Sequence, residues 1–96
     1  MTMVSRFRID VPPYPGWVRR LYRLSRPVTD EDVQAILNGQ DEYVRTVGPD
    51  RVVSIHKFGL LEINCIVGVP EIEVWFSPEQ RGWTSEYLDA LLATRF

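Results

Sequence analysis

Three short segments between residues 52 and 76 constrain this chain more than any other feature, because their side chains sort one another into register. Joining the first two through Phe58-Gly59-Leu60 sets Ile55 against Ile63 and Val53 against Cys65 on one side. The same pairing sets His56 against Glu62 and Ser54 against Asn64 on the other. Joining the second and third through Gly68-Val69-Pro70-Glu71 opposes Val67 to Ile72, Cys65 to Val74 and Ile63 to Phe76, with Ile66 opposite Glu73 and Asn64 opposite Trp75 behind them. A slip of one residue would set Cys65 against Glu73 and bury a carboxylate, so the faces are firmly specified. The expectation is an antiparallel three-stranded meander with one apolar face.

The flanking segments supply what covers that face. Ser5 to Val11 alternates apolar and polar as a half-buried strand does, and Pro12-Pro13-Tyr14-Pro15-Gly16 then breaks it as a rigid connector. In Trp17 to Ser25 the arginines fall on both sides of a two-residue projection. At about 100° per residue, Trp17, Val18, Leu21, Tyr22 and Leu24 gather opposite Arg19, Arg20, Arg23 and Arg26. That pattern reads as a short amphipathic helix, stopped by Pro27.

Thr29 is placed to cap a second helix by accepting from the Asp32 amide, and Asp30, Glu31 and Asp32 suit the positive end of its dipole. Val33, Ile36, Leu37, Tyr43, Val44 and Val47 form one stripe that carries this helix to Val47. Asn38-Gly39 offers an earlier end, in which case residues 42 to 47 form a strand instead. Ser77-Pro78 closes the meander, and Thr84 or Ser85 caps a last helix with Tyr87, Leu88, Leu91 and Leu92 on its core side. The expected fold is one α+β domain over residues 1–96, in the order β-α-α-β-β-β-α, with helices on one sheet face and the other face open.

Composition narrows the function classes. The longest apolar stretch, Cys65 to Val69, is far short of the about 20 residues needed to cross a bilayer, so no membrane partner is expected. Charge interrupts the first eight residues before a signal-peptide core can form. Cys65 is the single cysteine, which excludes an internal disulfide, and the chain reads as cytoplasmic. The formal charge of −2 is unevenly distributed: residues 1–27 carry +5 and the remainder carries −7. A surface of that kind fits a protein partner, its own symmetry mate or a nucleic acid, or two halves of one fold that face each other.

Nothing in the motifs points to catalysis, and no cofactor is implied. His56 beside Glu62 fits an ordinary cross-strand ion pair as well as an oriented base, and Cys65 projects to the buried side as an inert thiol. One histidine and one cysteine cannot supply the usual nitrogen and sulfur metal sets, and no phosphate-binding glycine loop occurs. Two surfaces remain as binding candidates. One is the arginine face of Arg19, Arg20, Arg23 and Arg26, whose guanidinium groups suit carboxylates and phosphates. The other is the sheet face away from the helices, where His56, Asn64, Ile66 and Trp75 form a patch rimmed by Glu62 and Glu73, unless the N-terminal strand or a loop covers it and Arg6 or Arg8 meets Glu62 or Glu73. The expectation is a non-enzymatic binding or assembly module that joins a protein partner or a second copy of itself. The alternative is a nucleic-acid-binding protein that uses the arginine face.

Overall fold

The computed structural model describes residues 14–37, 39, 41–45 and 52–96. It is an α+β domain of five strands and two helices among the described residues: β1 (Val18–Arg23), α1 (Asp30–Ile36), β2 (Glu42–Arg45), β3 (Val52–Lys57), β4 (Leu61–Ile66), β5 (Glu71–Phe76) and α2 (Arg81–Arg95). The strands form one antiparallel sheet in the order β1-β5-β4-β3-β2. The predicted meander is therefore the centre of the sheet, and the chain adds a strand at each edge. The predicted strand Ser5–Val11 lies outside the described residues.

The β3–β4 register is the one expected, with Ile55 opposite Ile63 and His56 opposite Glu62. The β4–β5 register differs by two residues from the predicted one: Cys65 faces Ile72, Asn64 faces Glu73 and Glu62 faces Trp75. Two residues is one full side-chain period, so every residue keeps its predicted face while changing its partner. The turn explains the shift. Val69 N–H donates to the Ile66 carbonyl at 3.1 Å and Gly68 takes φ 92°, so the turn centres on Val67-Gly68, where glycine tolerates a positive φ. Val67 leaves the sheet and is exposed.

The arginine-bearing segment is a strand, not a helix. Val18–Arg23 pairs with the edge of β5, with Arg19 opposite Trp75 and Leu21 opposite Glu73. Arginines fall on both sides of the strand: Arg19 reaches Glu73 on one side and Arg20 reaches Ser85 on the other, while Arg23 stays exposed. The unpaired backbone edge of β5 supplies a ladder that a short polar helix could not match.

At α1 the capping prediction holds. The Asp32 amide donates to Thr29 Oγ1 at 3.2 Å, and the Thr29 amide donates to Asp32 Oδ2 at 2.8 Å, closing a capping box. The helix ends at Ile36 and Leu37 is already extended, so the shorter-helix branch is realised and 42–45 pairs with β3. The long helix to Val47 is thereby overturned: residues 42–45 pair with the edge of β3, and Gly39 in the connection is a poor helix former.

The core lies between the helices and one sheet face. Val53, Ile55, Ile63, Cys65, Ile72, Val74 and Phe76 pack there with Val28, Val33, Ile36, Leu88 and Leu92. Helix α2 starts at Arg81, so neither Thr84 nor Ser85 is its cap. Ser77 Oγ accepts from the Glu79 amide at 3.1 Å, which turns the chain into the helix early. Thr84, buried one turn in, donates its hydroxyl back to the Gln80 and Arg81 carbonyls.

Candidate contact surfaces

The sheet face away from the core brings His56, Glu62, Asn64, Ile66, Glu73 and Trp75 together as the alternation requires. It is not open, so of the two expectations the exposed patch fails and a covered face is realised: Glu62, Asn64, Ile66, Glu73 and Trp75 are all buried, Glu73 to 1% exposure. Its polar groups form one connected network. Ser54 Oγ donates to Asn64 Oδ1 at 2.6 Å, and Asn64 Nδ2 donates to Glu62 Oε2 at 3.1 Å and Glu73 Oε1 at 2.9 Å. Trp75 Nε1 donates to Glu73 Oε1 at 3.1 Å, and Arg19 Nε to Glu73 Oε2 at 2.8 Å. His56 Nε2 sits 3.4 Å from Glu62 Oε1.

Each oxygen of both glutamates has a partner, and no described buried side-chain nitrogen or oxygen lacks one. A network this saturated fixes the register of four strands and leaves none of its described groups aimed at a ligand. One-residue slippage would break all of it at once.

The four arginines do not share a surface. Arg19 faces the polar network, while Arg20 is on the helix side of β1, within 3.3 Å of Ser85 Oγ and over the Tyr22 ring. Arg23 is exposed at the register position of Glu71. Arg26 is committed elsewhere: its two terminal nitrogens donate to Asp32 Oδ2 at 2.6 Å and Oδ1 at 2.9 Å, and its head lies over the Phe96 ring. Arg95 donates to the same Oδ1 at 2.9 Å. Asp32, fully buried, thus ties the start of α1 to the end of α2. The Arg26 hydrogen bonds, against the penalty of burial and with help from Thr29 and Arg95, hold its carboxyl well below the usual carboxylate range.

Cys65 is buried on the core face as expected, and burial pushes its thiol up to about 12. Among the described residues, no group of three or more acidic, histidine or cysteine side chains is placed to hold a metal ion, and no helix is long and apolar enough to cross a membrane.

The surface that sequence reasoning missed is aromatic. Phe58, at the tip of the β3–β4 hairpin, meets Trp83 edge to face at 5.2 Å and Tyr87 at 5.3 Å. Trp83 and Tyr87, four residues apart on α2, stack with planes 14° apart and centroids 5.7 Å apart. Phe58 is 52% exposed and Trp83 49% exposed, so the cluster faces solvent.

Two features set this cluster apart from incidental surface rings. Phe58 has φ 59°, followed by Gly59 at φ 67°, the pair of positive angles a type I′ turn requires. That turn favours Asn or Gly at the first position, and a bulky residue there is strained. The second feature lies beneath the rings. Lys57, with no exposed side-chain surface, pairs with Asp41 and lies 5.9 Å from the Tyr87 ring centroid, so its charge is neutralised below the patch. The signals in the sequence were Phe next to Gly59 at a hairpin tip and the Trp83/Tyr87 spacing. A helix capped at Thr84 or Ser85 leaves Trp83 outside it, whereas α2 begins at Arg81 and includes Trp83. No protein-family model, curated protein or solved structure matches the chain.

Proposed function

We propose that this chain is a non-enzymatic assembly module that binds a protein partner through Phe58, Trp83 and Tyr87. The observation that carries this reading is a pair of exposed rings, Phe58 and Trp83, resting on a half-buried Tyr87, with Phe58 at a strained turn position where the turn itself prefers a different residue. Tryptophan and tyrosine dominate the energetics of protein contacts, and rigid rings lose little conformational freedom when covered. The nucleic-acid alternative rested on four arginines on one helix face, and those arginines are divided between both sides of a strand and a buried ion pair. A lone buried cysteine supports a working place in the cell interior.

The test is a paired capture with the wild-type chain and Phe58→Asn as baits, followed by reconstitution of any retained protein from purified components. A partner that loses about tenfold or more in affinity for the variant supports the reading. Partners that bind both baits equally refute it.

A further inference from the structure

Burial of the polar sheet face has no source among the described elements. Helices α1 and α2 both pack on the opposite face, through Val33, Ile36, Leu88 and Leu92. Yet Ile66 and Trp75 are each only 4% exposed, and Glu62, Asn64 and Glu73 are buried beside them. Side chains standing on an uncovered sheet face keep one side in water, so burial to this extent requires a further layer.

The described residues show from which side that layer arrives. Arg19 reaches Glu73, so alternation along β1 puts Leu21 and, just before the strand, Trp17 on the same polar face. Before Trp17 the chain reverses: the Trp17 N–H donates to the Tyr14 carbonyl at 3.3 Å and Gly16 takes φ 84°, the turn that Pro15-Gly16 favours. The Tyr14 ring lies against the Trp17 ring with centroids 4.9 Å apart. The segment before Tyr14 is therefore delivered to the polar face, beside the end of β1 where Arg19 faces Trp75.

We propose that the covering layer is the chain's own Ser5–Val11, with Phe7, Ile9 and Val11 turned down onto Trp75, Ile66 and Leu21 and with Arg6, Arg8 and Asp10 turned outward. The length suffices: seven extended residues span about 23 Å, and β1 to β4 is two strand spacings, about 10 Å. Pro12 and Pro13 carry no N–H and cannot extend a ladder along the outer edge of β1, which directs the segment over the face instead. The connection from β2 enters β3 at Val52, beside Ile66, whereas Trp75 lies beside Glu62 near the other end of β4 and out of its reach.

The chemistry of the face selects the apolar side of the segment. The carboxylate oxygens of Glu62 and Glu73 already have partners, so the network needs exclusion of water and no further charge. Trp75, Ile66 and Leu21 supply the apolar surface that Phe7, Ile9 and Val11 match. This assignment is independent of the contact-surface reading, and it makes the polar face part of the fold.

The experiment uses the full chain in solution. Nuclear Overhauser contacts from the Trp75 indole ring are expected to the methyl groups of Ile9 and Val11. Ile9→Asp sets a carboxylate against the buried face and should speed hydrogen exchange of the Trp75 indole N–H about tenfold or more, with the Ile63 and Leu88 amides unchanged. Contacts from Trp75 that lead only outside residues 5–11 overturn the proposal, as does an indole N–H equally protected in Ile9→Asp. A variant in which all three groups exchange faster together has lost its fold, and the wild-type contacts then decide alone.

Discussion

Phe58 and Trp83 meet ring to ring at 5.2 Å, one at a hairpin tip and the other in the first turn of α2, with about half of each side chain in solvent. The strain at Phe58 and the aromatic contact it makes are of similar size and opposite sign. A bulky residue at positive φ costs on the order of 1 kcal/mol, and aromatic pairs contribute about 0.5 to 1.5 kcal/mol. Phe58→Asn should therefore change folding stability by less than about 1 kcal/mol in urea denaturation, while removing association. A loss of several kcal/mol would show that Phe58 is a folding residue instead.

Asp32 supplies a second prediction. Its carboxyl stays ionised in the folded chain at pH values where the unfolded chain, with an ordinary value near 3.8, takes up a proton. The unfolded state then binds more protons, so stability rises with pH across that window and is lost as pH falls below about 4. Thermal unfolding of the wild type should show this acid loss. Asp32→Asn should lack that component and should be less stable at neutral pH by about 2 kcal/mol, through loss of charge-assisted bonds to Arg26 and Arg95.

The polar sheet face gives a third. Asn64 donates to both Glu62 and Glu73, so Asn64→Asp would crowd three carboxylates into a buried network whose only described full cation is Arg19. The folded variant must retain at least one proton that the unfolded chain releases. Its stability should fall by about 3 kcal/mol at pH 7 and recover on acidification toward pH 5, the reverse of the wild-type acid trend. Equal stability at both pH values would show that the network relaxes into solvent.

Lys57 and Asp41 give a fourth. Both side chains are buried and ion-paired on the core side of the sheet, so Lys57→Met removes the cation that faces the Asp41 carboxylate. The single variant should lose about 3 kcal/mol, and adding Asp41→Asn should recover part of that loss in a double-mutant cycle. Additive effects would show that the two groups do not share one interaction.

The α+β class, the two faces of β3, β4 and β5, the Thr29 cap and the burial of Cys65 were all legible in the sequence, because alternation and capping are local signals. The β1 strand was not, because its arginines fit a helical projection and only the distant edge of β5 makes the extended form better. The β4–β5 partners were misassigned by one period because Gly68, not Pro70, decides where the turn falls. Among the site residues, the pattern placed His56, Glu62, Asn64, Glu73 and Trp75 together, yet burial of that face is a tertiary property no alternation encodes. Phe58 and Trp83 were missed because their proximity depends on where α2 begins.

The chain's three tryptophans report on three separate surfaces: Trp17 beside Tyr14, Trp75 in the buried network and Trp83 in the aromatic cluster. The most direct measurement is therefore the chemical shift of each indole N–H as a partner protein captured by the wild-type chain is titrated in. Contact through the Phe58–Trp83–Tyr87 cluster should move the Trp83 signal progressively and leave Trp75 and Trp17 in place. A Trp83 signal that stays fixed while Trp75 or Trp17 moves would contradict it and transfer the contact to another face.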